Sequence, residues 1–482
     1  MMTTLEKTLS IRDLMETSGV RFGTSGVRGL VSAMTDEICF AYTLAFLRVA
    51  AIPSGSRVLV AMDLRPSSPH IAAACASAIR HAGMHPVFCG AIPTPALAFH
   101  AQEQGLPGIM VTGSHIPFDR NGIKFYGLAG EITKQDEHDI NHAVVCLPME
   151  GYSMVLPPLD SAAREAYINR YLGYFPVGGL AGMRLGFYEH SSVARDLLTA
   201  LLEALGAQVI SLGRTDEFVP IDTEAVAEVD VERAKKWAVE HTFDAIISTD
   251  GDADRPLIGD ERGQWLRGDI VGLLCARYLE AEAVATPVSC NTAIESCGAF
   301  LEVARTRIGS PYVIAQMEQM LAAGRQRVVG FEANGGFLLG SSITRQGHTL
   351  SPLMTRDAVL PVLALLAMAK GNGVALSQLT RDLPARFTGS DRLQSFPLES
   401  SRRILLELST DMAAIDRLLG PVGSEARRLD QVDGLRIYLA NGEIVHFRPS
   451  GNAPELRCYA EADTQLRANH LAAECLRLIR GL

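Results

Sequence analysis

Short apolar runs alternate along the chain with longer segments whose apolar positions recur at helical spacing. Residues 57–90 read as a strand, a polar loop, an alanine-rich helix, a glycine stop and a second strand. Residues 183–213 repeat that grammar, and residues 287–309 give a shortened third copy. In the first two copies a serine pair, Ser67-Ser68 and Ser191-Ser192, stands where a helix cap is expected. Each copy is a βαβ unit, which requires a parallel or mixed sheet covered by helices. Helical segments at Ser161–Tyr171 and Arg356–Ala369 fit between the units. The pattern therefore predicts an α/β protein with three similar domains.

Each copy is followed by another buried strand that empties into a polar loop. The first such strand, Gly108–Val111, leads into T-G-S-H-I-P and resumes at Gly122–Tyr126. The second leads into D-G-D-A-D-R at 250–255, and the third into E-A-N-G-G at 332–336. In open α/β sheets ligands collect beyond the strand ends, in loops of this kind. The last part of the chain differs. Residues 433–448 read as a hairpin closed at Asn441-Gly442, and a final amphipathic helix covers about Thr464 to Arg480. The expected architecture is three similar α/β domains with mixed sheets plus a C-terminal α+β domain. The divisions fall at 1–152, 153–258, 259–372 and 373–482, with a hinge at 371–373.

Composition narrows the function classes. The 482-residue chain is 48% hydrophobic and 20% charged, as ordinary globular proteins are, and is too long for one hydrophobic core. A net charge of −10 argues against a nucleic-acid partner. No apolar run is long enough to span a bilayer, and the N-terminus lacks the apolar core of a signal peptide. The nine cysteines contain no C-x-x-C pair, so neither a disulfide framework nor a zinc site is indicated, and a cytoplasmic setting is expected.

The loops carry the chemistry. Ser114, flanked by His115 and followed by Lys124, offers a hydroxyl that can act as nucleophile or phosphate carrier. Asp250, Asp252 and Asp254 crowd three carboxylates that would repel one another without a hard divalent cation, Mg²⁺ or Ca²⁺. Glu261 falls where an EF-hand places its last ligand, but Arg255 stands at the glycine position and Pro256 follows, so an EF-hand is rejected. Arg255 is placed for a phosphate contact. Glu332 and Asn334 suit the vicinal hydroxyls of a sugar. Arg448, Ser450, Gly451, Asn452 and Arg457 combine guanidinium, hydroxyl and amide donors for a phosphate that is not being transferred. The stretch V-R-F-G-T-S-G-V-R-G-L at 20–30 contributes Arg28 from a glycine-rich loop suited to an anion.

Taken together these loops resemble the α-D-phosphohexomutase family. The matching motifs are F-G-T-S-G-V-R-G at 22–29, the serine loop, D-G-D-A-D-R, E-A-N-G-G, and R-P-S-G-N-A-P-E-L-R at 448–457. The family's usual T-A-S-H-N-P here has Gly113 and Ile116. Ala253 replaces a glycine, a mild change, and Asn334 replaces a serine. A histidine that some members carry near Ile308-Gly309-Ser310-Pro311 is absent.

The resemblance implies a central cleft and a mutase that interconverts hexose 1-phosphate and hexose 6-phosphate. It implies a phosphate on Ser114, Mg²⁺ held by Asp250, Asp252, Asp254 and Ser114, and a hexose 1,6-bisphosphate intermediate that also serves as activator. Lys124, His115 and Arg28 would do the proton and charge work. Phosphomannomutase activity is favoured over phosphoglucomutase, dual-specificity or phosphoglucosamine mutase activity. A metal-dependent phosphatase and a catalytically silent sugar-phosphate binder are the rival classes. The expected partner is a small sugar phosphate, with the chain a monomer or homodimer.

Overall fold

The computed structural model describes residues 6–23, 26–148, 152–449 and 455–481. Three sheets share one strand order, built on the three repeats. In the first, the strand Arg57–Met62 pairs in parallel with His85–Ala91 on one side and Gly108–Val111 on the other. Arg120–Gly127 then adds antiparallel to Gly108–Val111, and Val27–Leu30 beside it. The second sheet repeats this with Arg184–Tyr188 between Gln208–Leu212 and Ala245–Thr249, followed by antiparallel Pro256–Gly259. The third sets Ala283–Pro287 between Glu302–Thr306 and Val328–Phe331, followed by antiparallel Phe337–Leu339 and Leu353–Asp357. The strands entering the three polar loops, IMV, AIIST and VVGF, are wholly buried, which is why they read as continuous apolar runs.

The three polar loops therefore occupy one topological position. Each joins a central strand to its antiparallel neighbour, with register partners Val111 and Ile123, Thr249 and Pro256, and Phe331 and Phe337 at the base. One continuous apolar cluster runs through all three sheets and their helices, so the loops are held on a common base. The helix Val359–Asn372 lies inside that cluster and buries Val359, Leu360, Val362, Leu363, Leu365 and Leu366. Each such side chain contributes about 1.5–3 kcal/mol relative to exposure. Burial on every side also explains the absence of a polar stripe.

The fourth unit is a five-stranded antiparallel sheet with its own core, covered by the helices Leu398–Thr410, Met412–Leu419 and Gln465–Arg480. The hairpin is present as Leu435–Leu439 and Ile444–Pro449, and Thr464 caps the last helix.

Two local expectations are corrected. The serine pairs do not cap helices: Ser68 Oγ donates to Asp63 Oδ1 2.5 Å away, and Ser192 Oγ lies 2.6 Å from Thr249 Oγ1. The helix expected from Arg356 begins at Val359, because Arg356 and Asp357 finish a strand. Asp357 then accepts the Val359 N–H at 2.8 Å and hydroxyls from both Tyr167 and Tyr171, anchoring the helix Ala162–Leu172. At 371–373 the chain leaves the long helix. Gly373 is the left-handed C-cap of the long helix, and Leu376 and Leu379 return to the same apolar cluster. All nine cysteines are unpaired, and no helix among the described residues is long and apolar enough to cross a membrane.

Candidate active site

The shared strand order brings the first two loops into contact. Ser114 sits in the left-handed region with φ +53°, fully buried, and its Oγ donates to Asp250 Oδ2 at 2.7 Å. Asp250, Asp252 and Asp254 present carboxylate oxygens all within 4.8 Å of one another. Asp250 Oδ1 accepts the N–H groups of Asp254 and Arg255, both at 3.2 Å. Asp252 Oδ2 accepts from Lys124 Nζ at 2.6 Å and from Thr94 Oγ1 at 2.6 Å. Asp254 Oδ2 accepts from Lys124 at 2.7 Å and from Arg356 Nη2 at 2.9 Å. What remains is informative: Asp252 Oδ1 and Asp254 Oδ1 are buried without a hydrogen bond, although Arg255 Nε lies 3.5 Å from the latter. Two anionic oxygens that accept no hydrogen bond beside a serine hydroxyl, in an all-oxygen donor set, fit Mg²⁺.

Charge is closely balanced here. Burial and the neighbouring Asp252 and Asp254 carboxylates push Asp250 well above the usual carboxylate range. Burial also opposes charge on Asp254, but Arg356, Lys124 and Arg255 outweigh it and hold that carboxyl far below its ordinary value. Lys124 is likewise disfavoured by burial and rescued by Asp252 and Asp254, so its pKa lies above that of an ordinary lysine. Arg28, beside these cations, is lowered to about 10 by burial and by Arg255 and Arg356.

His115 is brought to the serine but is not free. Its Nδ1 lies 3.4 Å from Ser114 Oγ and accepts an N–H from Arg255 at 2.7 Å. The Arg255 charge and burial push the imidazole down to about 2, so it is neutral and serves as an acceptor in this arrangement. Ala253 proves less mild a change than its size suggests. It is fully buried with φ +54°, a backbone that favours glycine.

The third loop joins through a residue that the sequence pattern concealed. Arg356 Nη1 donates to Glu332 Oε2 at 3.1 Å while the same guanidinium holds Asp254. Asn334 Oδ1 accepts the Gly336 N–H at 2.9 Å, shaping the turn, and Thr223 Oγ1 donates to the Asn334 carbonyl. Arg356 was missed because it was assigned to a helix. Thr94 was missed because its partner, Asp252, is 158 positions away.

The fourth unit meets the first and third around a cavity of about 570 Å³ lined by Gly23, Lys134, Ile308, Tyr312, Asp433 and Arg448. Arg448 donates to Asp433 Oδ1 at 3.0 Å, and Asp433 Oδ2 accepts the Ile308 N–H at 2.9 Å. Arg457 is the register partner of Arg448 on one side and of Arg392 on the other. Like charges directly opposite on neighbouring strands repel unless an anion lies between them. Arg392 carried no sequence signal, since its place beside Arg457 is set by strand register alone. Ser450, Gly451 and Asn452 lie outside the described residues.

Comparison with known proteins agrees with this arrangement. Residues 19–145, 267–387 and 403–478 match three domains of the phosphoglucomutase/phosphomannomutase family: alpha/beta/alpha domain I, alpha/beta/alpha domain III and the C-terminal domain. The chain is 49% identical to a phosphomannomutase of Salmonella muenchen, with 97% of each chain covered.

The chain belongs to the α-D-phosphohexomutase family.

A phosphomannomutase of Sinorhizobium fredii is 46% identical, covering 96% of this chain and 99% of the relative. Among solved structures, a phosphoglucomutase/phosphomannomutase family protein from Burkholderia thailandensis superposes with a TM-score of 0.72 at 19% identity, covering 95% and 97%, and shows the shared fold. As a phosphohexomutase the chain is an enzyme that moves a phosphoryl group within a sugar phosphate, an isomerase by reaction class.

Proposed function

We propose that the enzyme interconverts mannose 1-phosphate and mannose 6-phosphate with Ser114 as phosphate carrier. The observation that carries this is the 2.7 Å bond between Ser114 Oγ and Asp250, beside two buried oxygens of Asp252 and Asp254 that accept no hydrogen bond. The mannose assignment is supported by the two relatives at 46–49% identity. Asp250, Asp252 and Asp254, with Ser114, would hold Mg²⁺, which when bound offsets phosphoryl charge and polarises phosphorus.

The chain's own groups then have distinct work. Arg448 and Arg457, with Ser450, Gly451 and Asn452 as the sequence suggests, grip the phosphate already on the sugar. Glu332, fixed through one oxygen by Arg356, and the Asn334 amide orient the hydroxyls. The free 6-hydroxyl attacks the phosphoryl group on Ser114, forming the O6–P bond as the Oγ–P bond breaks. The product is a hexose 1,6-bisphosphate. That intermediate turns end for end and returns its other phosphate to Ser114, which is why a trace of bisphosphate would activate the enzyme. Lys124, Arg28 and Arg255 supply fixed positive charge around the transferring group. Neutral His115 orients Arg255 toward the serine and is our assignment for proton handling, with Lys124 contributing charge.

Closure of the fourth unit over the sugar would turn about a joint at 381–387 and would have to rearrange the bonds of Arg386 and Glu461 to Thr292. That position is supported by the burial of Leu376 and Leu379 with the third unit and by the start of the fourth sheet at Phe387. Unpaired cysteines suit a reducing cytoplasm.

The test is a coupled assay on mannose 1-phosphate and glucose 1-phosphate with Mg²⁺ and a trace of glucose 1,6-bisphosphate. Isomerisation that disappears on chelation and in Ser114→Ala is expected, with mannose the faster sugar. Release of free phosphate without isomerisation would replace this reading with a phosphatase.

A further inference from the structure

The serine loop raises a question that the reaction alone does not answer: what holds Ser114 in a left-handed conformation through two phosphoryl transfers per cycle. The loop from Gly113 to Arg120 contains only short internal bonds, Ile116 N–H to Gly113 O at 3.2 Å and Arg120 N–H to Pro117 O at 3.1 Å. Four of its carbonyls turn inward, and all four end on one side chain. Arg65 Nη2 donates to Ser114 O at 2.9 Å and Ile116 O at 2.6 Å, and Nη1 donates to Pro117 O at 2.8 Å and Arg120 O at 2.9 Å. The fifth N–H, on Nε, goes to Asp63 Oδ2 at 3.2 Å. All five guanidinium donors are thus used, and neither side chain of the ion pair has any exposed surface.

Asp63 extends the brace to the other side of the serine. Its Oδ2 accepts from Thr112 Oγ1 at 2.8 Å, and Thr112 Oγ1 in turn accepts the Ser114 N–H at 2.8 Å. Ser114 is therefore held at both its amide and its carbonyl by one buried pair at the end of the strand Arg57–Met62. The open face of the guanidinium is covered by the Phe218 ring, 3.9 Å from its carbon, supplied by the second unit. The same ring would meet a Cβ placed on Gly251 at 3.0 Å, so it touches both the arginine under the serine loop and the carboxylate loop.

A buried ion pair of this kind is costly to desolvate, and charge-free residues of similar volume often serve a core better. Its retention under a loop of inward carbonyls fits a positional role. We propose that Arg65, oriented by Asp63 and covered by Phe218, is a positioning residue that fixes the Ser114 loop for phosphoryl transfer. It touches neither substrate nor phosphate and acts through the loop backbone. The inference rests on Ser114 being the phosphate carrier.

The experiment uses the full-length enzyme, with glucose 1,6-bisphosphate as phosphoryl donor and mannose 1-phosphate as substrate. Rates are normalised to the fraction of Ser114 that can be phosphorylated. Arg65→Lys keeps the charge but offers three donors that cannot span four carbonyls. It should lower kcat about 10²-fold while KM for mannose 1-phosphate moves within about threefold, the pattern of a misplaced reacting group. The share of phosphoserine lost to water as inorganic phosphate should rise. Phe218→Ala leaves the pair intact, and should lower kcat about three- to tenfold with the same pattern. It carries the test alone if Arg65→Lys does not fold. Wild-type turnover per phosphorylatable serine in the folded variants would overturn the proposal, because a purely structural role changes only how many molecules are active. Mutase activity surviving in Ser114→Ala would instead overturn the carrier assignment beneath it.

Discussion

The centre around Ser114 and the arginine strands of the fourth unit differ in how they neutralise charge. Around Ser114 three buried cations are already paired, Lys124 with Asp252 and Asp254, Arg356 with Asp254 and Glu332, and Arg65 with Asp63, while Asp252 Oδ1, Asp254 Oδ1 and Arg255 Nε are left without hydrogen bonds. At the fourth unit, Arg392, Arg457 and Arg448 stand abreast on three neighbouring strands. Their partners Glu455 and Asp433 lie at 3.0–3.7 Å, and Arg457 Nε is buried without a partner. In the first region these cations are fixed by protein carboxylates before substrate arrives. The second leaves its arginines incompletely neutralised, which suits the exchanging phosphate of the proposed reaction. Rigidity where bonds change and incomplete neutralisation where a ligand exchanges is the lesson of the contrast.

Removing one cation from each region sharpens it most. Arg356→Leu should destabilise the fold by about 3–5 kcal/mol, because buried Glu332 loses its ion-pair partner and Asp254 loses one of its cations. Urea unfolding reads this directly, and a loss under about 1 kcal/mol would mean the cations around Ser114 are not fixed as described.

Acid should reveal a second effect, with one reporter in each region. His190 and His446 are buried, donate through Nε2 to the carbonyls of Thr249 and Asp433, and keep Nδ1 without a partner. Burial lowers both to about 4 from 6.5. Because the folded value is depressed, the unfolded chain takes up protons first. The stabilisation is complete above about pH 6.5 and lost as pH falls toward 4, by up to about 3 kcal/mol for each histidine. His190→Gln and His446→Gln should each flatten the dependence of the unfolding midpoint on pH between 7 and 4.5. Unchanged slopes in both would contradict the neutral assignment.

At the fourth unit, Arg448→Ala should leave stability within about 1 kcal/mol of wild type yet raise KM for mannose 1-phosphate by about 10–100-fold. Steady-state kinetics beside a melting curve separates the two, and a large stability loss with unchanged KM would reverse the comparison. The smallest effect belongs to Ala253→Gly. It relieves a left-handed backbone but loosens the unfolded chain, and the net should be a gain of no more than about 1 kcal/mol. Destabilisation beyond that would show that the Ala253 methyl packs better than its backbone suggests.

Much of this was legible in the linear pattern. Wholly buried strands read as apolar runs, and the repeated βαβ grammar placed Ser114, Asp250, Asp252, Asp254, Glu332 and Asn334 in three equivalent loops. Local chemistry was legible wherever the reacting groups were neighbours in the chain. The reading failed where a residue's work depends on distant partners. Arg356 resembled the first residue of an apolar helix because the anchor that delays that helix, Asp357 bonded to Tyr167 and Tyr171, lies across 190 and 186 positions. Arg65 looked like one polar residue in a loop until the serine loop was folded over it.

The sequence by itself determined the three repeated sheets, the order of the four loops and the chemical type of each, because hydrophobic period and turn residues act over a few neighbours. Only the tertiary structure decided which charges neutralise which. Desolvation penalises every buried ion until a partner arrives, and strand register and helix packing alone bring those partners from other parts of the chain.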